Sequence, residues 1–238
     1  MLHTGNMQTT VLIYRIKRNN YTKLYFFLNH SYLKTLNSFK ITMTETQKTE
    51  DNKLLYYFKK WTVITPEDES VILSAFEPCS IKKKKELLVS GKTCKYLYFI
   101  TTGCLRSFYI DSKGTEHIYQ IRMDNSWISD LESFFTQTPS KYNIEALEDT
   151  QMLRISYKRL DQLYEKVPKL ERYFRILFQK AYINALKRLN ANMWETAMDR
   201  YNDMLKEHPQ MFQRVPLIYI ASYLGITPES LSRIRKRI

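Results

Sequence analysis

Apolar positions along this chain change period at about residue 156, and that change organises everything else. Thr65 is a good N-cap, with Pro66 behind it and acidic residues in the first turn, so a short helix opens there. Ahead of it Leu54, Leu55, Phe58 and Trp61 recur at helical spacing after a polar lead-in. Short β-like runs follow at 80–85, 86–88, 96–101, 104–110, 116–123, 143–145 and 152–156. Turn signals punctuate them: S-G-K at 90–92, T-G at 102–103 and D-S-K-G at 111–114. Many short strands with regular turns predict a small antiparallel barrel or a β-roll of jelly-roll type. From Tyr157 the period is helical again. A short helix spans 157–164, and Pro168 opens a long one whose Leu170, Tyr173, Phe174, Leu177, Phe178, Ala181, Ala185, Leu186 and Leu189 step by three and four.

The last twenty-four residues read as helix, glycine turn and basic helix. Ile218, Ile220, Ala221 and Leu224 form the first apolar stripe, and Gly225 supplies a turn position with φ > 0. Thr227 then caps a helix over about 228–238, with Pro228 at its first position and Glu229 in its first turn. Leu231 and Ile234 would face the first helix, leaving Glu229, Ser230, Ser232, Arg233, Lys236 and Arg237 outward. This is the pattern of a helix-turn-helix whose second helix reads DNA.

Charge sharpens that reading. Residues 1–42 carry 6 basic and no acidic residues, 43–153 carry 14 against 16, and 154–238 carry 17 against 8, within a net charge of +13. The cationic part coincides with the helix-turn-helix, as expected where phosphates are neutralised. With 238 residues and 44% hydrophobic content the chain can bury one or two cores. It has no apolar run of eighteen residues, which argues against a membrane span. Cys79, Cys94 and Cys104 form no C-x-x-C pair, which argues against a disulfide scaffold, a zinc finger or a four-cysteine cluster and fits a reducing cytoplasm. Residues 1–42 read as a loosely ordered basic extension without the apolar core of a signal peptide.

The short helix, the run S-G…L-Y-F-I-T-T-G-C-L-R-S-F-Y, the segment I-E-A-L-E-D-T-Q-M-L-R-I-S, the long helix and the terminal R-Y-N-D-M-L-K-E-H-P-Q-M-F-Q-R-V-P-L-I-Y-I-A-S-Y-L-G-I-T-P-E-S-L-S-R-I-R resemble the CRP/FNR family of bacterial transcription regulators over roughly 50–238. The resemblance implies an α+β fold: an N-terminal antiparallel β-roll, a long dimerisation helix and a C-terminal winged-type helix-turn-helix. The given sequence ends just after the second helix of that motif, so the expectation is a helix-turn-helix with its wing absent. The expected organisation is an extension at 1–42, a cyclic-nucleotide-binding-like sensor at 50–157, connecting and dimerisation helices at 158–192 and a DNA-binding part at 193–238. Leu170, Phe174, Leu177, Ala181 and Leu186 would form the dimer seam.

Carried over residue by residue, the family's Glu-x-x-Ser-Arg arrangement falls on Glu229, Ser232 and Arg233, residue types suited to base edges in the major groove. Arg235, Lys236 and Arg237 suit phosphates, with Thr227 and Ser230 at the helix start. The nucleotide pocket carries over poorly. Aligned on Ala146-Leu147-Glu148-Asp149, the phosphate arginine falls on Ser140, beside Lys141, and the Gly-Glu pair falls on Ser129-Asp130. A lysine does not replace a planar bidentate fork, so cyclic AMP is not the expected effector. His3, His30, His117 and His208 lack metal-ligand spacing, and no nucleophile elbow, P-loop, H-E-x-x-H or paired-carboxylate site is visible. The expectation is a non-enzymatic, cytoplasmic, homodimeric regulator with no cofactor or metal. Its partners would be double-stranded DNA, a second copy and RNA polymerase. The rival is a protein-interaction module built on a degenerate β-roll.

Overall fold

Two four-stranded antiparallel sheets form the centre of the chain, which we describe from a computed structural model covering residues 16–18, 21–23 and 49–237. The chain divides into two units, Met1–Thr49 and Glu50–Ile238. In the first, β1 (Ile16–Arg18) pairs antiparallel with β2 (Tyr21–Lys23). The rest of the 1–42 extension, with its apolar runs at 11–14 and 24–28, lies outside the described residues.

The second unit opens within α1 (residues 49–59), which buries Leu54, Leu55 and Phe58. Trp61 falls beyond its end, exposed, with Lys180 Nζ 3.8 Å from its ring centre. Thr65 caps α2 (Pro66–Ala75) reciprocally: its hydroxyl accepts from the Asp68 N–H and the Asp68 carboxylate accepts from the Thr65 N–H at 2.7 Å. The first sheet has the order β3 (Glu77–Ile81), β10 (Thr150–Ser156), β5 (Tyr96–Thr102), β8 (Ser126–Ile128). The second has the order β4 (Glu86–Leu88), β9 (Asn143–Ala146), β6 (Cys104–Ile110), β7 (Glu116–Met123). The sheets stay separate, as in a jelly roll, and do not close into the barrel that the strand spacing also allowed.

Lysines 82–85 are not strand, as their place in the 80–85 run suggested. They form a turn with Lys84 at φ 64°, tied down by Asp149, which accepts from Lys82 Nζ at 2.7 Å and from the Lys83 N–H at 2.9 Å. Four successive ammonium groups are better separated on a solvated turn than stacked along a sheet edge. The sequence pattern also missed β8 and the short α3 (Leu131–Thr136), both too short for a periodic signal.

Ser156 caps α4 (Tyr157–Lys166), and α5 (Lys169–Trp194) follows, about 39 Å long at 1.5 Å per residue. The C-terminal helices are α6 (Ala197–Glu207), α7 (Met211–Arg214), α8 (Leu217–Tyr223) and α9 (Pro228–Arg235). Two cores result. One fills the roll and takes in α1, α2, α4 and the start of α5. The other joins the outer face of β6 and β7, through Cys104, Phe108, Ile118 and Ile121, to Met204, Val215, Ile220, Ala221, Leu224, Leu231 and Ile234. Both faces of β6 are therefore covered, which explains why Cys104–Phe108 is buried without alternation. Among the described residues no helix is long and apolar enough to cross a membrane.

Candidate nucleic-acid interface and effector cleft

The turn between α8 and α9 follows from three residues. Gly225 takes φ +68°, the Ile226 N–H reaches back to the Ala221 carbonyl at 3.0 Å, and the Thr227 hydroxyl accepts from the Ser230 N–H at 3.2 Å. Leu231 and Ile234 are buried, so α9 has one possible orientation against α8. Its outward stripe carries Glu229, Ser232, Arg233 and Lys236, stepping by three and four, with Arg235 and Arg237 on the flanks, and all six are exposed. Thr227 is exposed and Ser230 half-buried. Ser230 Oγ also accepts from Arg233 Nη2 at 3.2 Å, which steadies the guanidinium one turn along. Glu229 sits at the helix start, where its own backbone N–H, the Thr227 hydroxyl and Arg233 hold its carboxyl below the usual range. The helix ends at Arg235, short of the expected 238, with Lys236 as its cap.

Sequence reasoning missed the groups that fix this unit on the roll. Arg214 donates to Glu148 Oε1 at 3.0 Å and Oε2 at 2.6 Å, to Asp124 Oδ2 at 2.5 Å and to the Gly103 carbonyl at 3.0 Å. These carboxylates, Glu148 first, push the Arg214 pKa up. Arg106, buried, pairs with Glu145 at 2.6 Å and with Glu116, its guanidinium 4.0 Å from both the Phe108 and Tyr219 rings. Ser222 accepts from the Ile118 N–H at 3.0 Å. Arg200 donates to the Leu224, Glu195 and Ala191 carbonyls, tying the ends of α8 and α5 to α6. No local motif marks these residues, because their partners are distant in the chain.

In the roll, the structure brings Ser129, Asp130 and Ser140 together and leaves Lys141 exposed at the surface. Asp130 caps α3 through its Oδ1, and its Oδ2 accepts from Ser140 Oγ at 2.6 Å. Ser129 Oγ donates to the Tyr96 carbonyl at 3.1 Å, and Cys94 Sγ lies 3.2 Å away. This cluster satisfies itself and carries a carboxylate where a cyclic phosphate would need cationic donors. A cleft of about 1080 Å³ runs from here along α5, between the roll and the C-terminal helices.

The expected dimer seam divides. Leu170 and Phe174 are 0% and 1% exposed, packed into the roll's own core, so they are not intersubunit residues. An apolar stripe at three-and-four spacing serves equally to pin a helix to its own domain, and here its first two turns do so. Leu177 and Ala181 are half-buried and Leu186 is exposed.

A family model described as Cyclic nucleotide-binding domain matches residues 78–167. The chain is 27% identical over 171 residues to the Fumarate and nitrate reduction regulatory protein of Vibrio cholerae, covering 66% of each. It is 26% identical over 168 residues to Transcriptional activator protein anr of Pseudomonas aeruginosa, covering 66% of this chain and 68% of that one. The family model and these relatives together support the resemblance to the CRP/FNR family. Two solved structures share the fold. The c-di-GMP responsive global regulator CLP of Xanthomonas campestris gives a TM-score of 0.59 at 15% identity, over 73% of this chain and 91% of that one. FixK2 of Bradyrhizobium japonicum gives 0.57 at 20%, over 68% and 83%. The CRP/FNR match thus spans about two thirds of the curated relatives' own length.

Proposed function

We propose that this CRP/FNR-like chain is a cytoplasmic, homodimeric, sequence-specific DNA-binding transcription regulator without enzymatic activity, which enters the major groove with α9. The observation that carries this reading is the face of α9: Leu231 and Ile234 fix it on α8, and Glu229, Ser232 and Arg233 are exposed on the outer stripe. Arg233 has the fork for guanine O6 and N7, and Glu229 can accept from cytosine N4. Arg235, Lys236 and Arg237 suit phosphates. The names of the relatives, a regulatory protein and a transcriptional activator, support the same class. Residues 50–157 would serve as sensor, 158–192 as connector and dimer helix, and 193–238 as reader. RNA polymerase would be a further partner. Cyclic AMP is not the effector on this reading, because Ser140 stands at the aligned position of the family's phosphate arginine and donates instead to the Asp130 carboxylate.

Selection of random duplex DNA by the full chain should enrich a two-fold-symmetric motif with half-sites about 34 Å apart, bound less tightly as salt rises. Recovery of unselected sequence, together with salt-insensitive capture of a protein partner, would overturn the reading in favour of an interaction module.

A further inference from the structure

Lys82, Lys83, Lys84 and Lys85 are all exposed, and the turn that carries them is clamped to the 146–149 segment. The Lys84 N–H donates to the Ala146 carbonyl at 2.7 Å, and the Ala146 N–H donates to the Lys85 carbonyl at 3.0 Å. Asp149 accepts from Lys82 Nζ and from the Lys83 N–H. That carboxylate offsets one of the four charges, and among the described residues Lys83, Lys84 and Lys85 form no ion pair. Like charges held on one fixed turn repel one another, and the field they share favours a polyanion. The segment that clamps the turn also holds the C-terminal helices. Glu148, next to Asp149, accepts from Arg214 at 3.0 Å and 2.6 Å, and Leu147 shares the second core with Val215. Arg214 ends α7, and the stretch from it to Leu217, the first residue of α8, spans at most about 10 Å. Leu217 then lines a groove with Pro228, Leu231, Ser232, Arg235 and Lys236, one flank of α9. Two neighbouring carboxylates therefore tie the lysine turn to the junction that leads onto that flank.

We infer that the lysine turn is a second DNA-contacting surface, carried by the β-roll, which takes the phosphates of duplex lying outside the half-site that α9 enters. The inference rests on the reading of α9 as the groove-entering helix and extends contact to the part otherwise assigned to sensing. Duplex DNA carries about one negative charge per 1.7 Å of its axis, so phosphates continue past any half-site along the protein surface that flanks the reader. Ammonium groups on flexible stems meet them as point charges, which need no planar geometry and carry no base information. The turn would therefore add affinity and salt dependence without altering the preferred sequence. It would also make binding depend on duplex length, because only a duplex that extends beyond the half-sites reaches it.

The full chain is titrated at several salt concentrations against two duplexes that share its selected operator. One ends at the outer edges of the half-sites, and the other continues for about one helical turn on each side. The longer duplex should bind about tenfold or more tighter at low salt, with a salt slope steeper by about one unit per added phosphate contact. Lys83→Gln, Lys84→Asn and Lys85→Gln combined should abolish that gain, asparagine being tolerated at the φ of 64° that Lys84 takes. Binding to the short duplex and the ranking of single-base operator variants should stay at parental values. Lys92→Gln, Lys95→Gln and Lys158→Gln combined removes the same charge from exposed positions outside the turn and should keep the gain. A parent chain that binds both duplexes alike overturns the inference whatever the variants do. A gain that survives the turn variant, or that the control loses equally, overturns it as well, and each of these results leaves the reading of α9 intact. A chain that binds every sequence alike, yet loses salt slope with the turn variant, would overturn the reading of α9 and leave the lysine surface standing.

Discussion

Arg233 and Lys236 leave the same stripe of α9 about one turn apart, yet they should differ in what they contribute to DNA recognition. Arg233→Ala should lose roughly 1–3 kcal/mol of discrimination at one base pair per half-site, because guanine keeps its acceptors and loses their donor. Lys236→Ala should weaken all sequences about equally and lower the salt slope by about one unit. Binding to single-base operator variants at several salt concentrations separates the two, and uniform weakening by Arg233→Ala would pass the reading role to Glu229 and Ser232. These side chains were legible in the sequence because everything that orients them is local: a glycine turn, a threonine cap, a proline behind it and two leucine-type anchors. The Arg214 network was not legible, since Glu148 and Asp124 lie 66 and 90 positions from Arg214 and only the packing of the C-terminal helices on the roll brings them together.

At the scale of elements, α5 shows where periodicity stops being informative. Its stripe fits core packing and a subunit seam alike, and only the structure assigns Tyr173 and Phe174 to the first and leaves Ile183, Leu186 and Leu189 exposed at 50%, 39% and 58%. The strands over 86–88, 104–110 and 116–123 came out at their expected bounds, because glycine and polar turns delimit them on both sides. The lysine run at 82–85 misled, since a charge run has no strand period of its own. Two substitutions separate the halves of α5. Leu186→Lys with Leu189→Lys should give monomers by sedimentation with little change in thermal unfolding, because the charges stay solvated in the single chain and are buried only in a seam. Phe174→Ala should instead cost about 3–5 kcal/mol of folding stability. A lysine pair that leaves the sedimenting mass unchanged would remove this stretch from the seam.

At the scale of the molecule, within the second unit the C-terminal helices are held on the β-roll where the second core meets the Arg214 network, so the stability of that junction should depend on pH. Asp124 is partly desolvated, which opposes ionisation, but Arg214 and the Gly103 N–H outweigh this and hold its carboxyl below the usual value. Gly103 itself must be glycine: it takes φ +123°, and a Cβ there would lie 2.7 Å from the Thr150 Cα. A carboxyl with a depressed folded pKa contributes stability above its unfolded pKa of about 4 and loses it as pH falls through the lower folded value. Thermal unfolding should therefore show this contribution intact at pH 5–7 and failing below about pH 4. Asp124→Asn should melt lower than the parent at pH 7, because the amide keeps the shape but loses the charge that Arg214 meets at 2.5 Å. The gap should close as pH drops toward 3, where the parent's carboxylate is protonated as well. Parallel melting curves across the whole range would mean that Glu148 alone satisfies Arg214. In that case the pH response of the junction would follow Glu148→Gln.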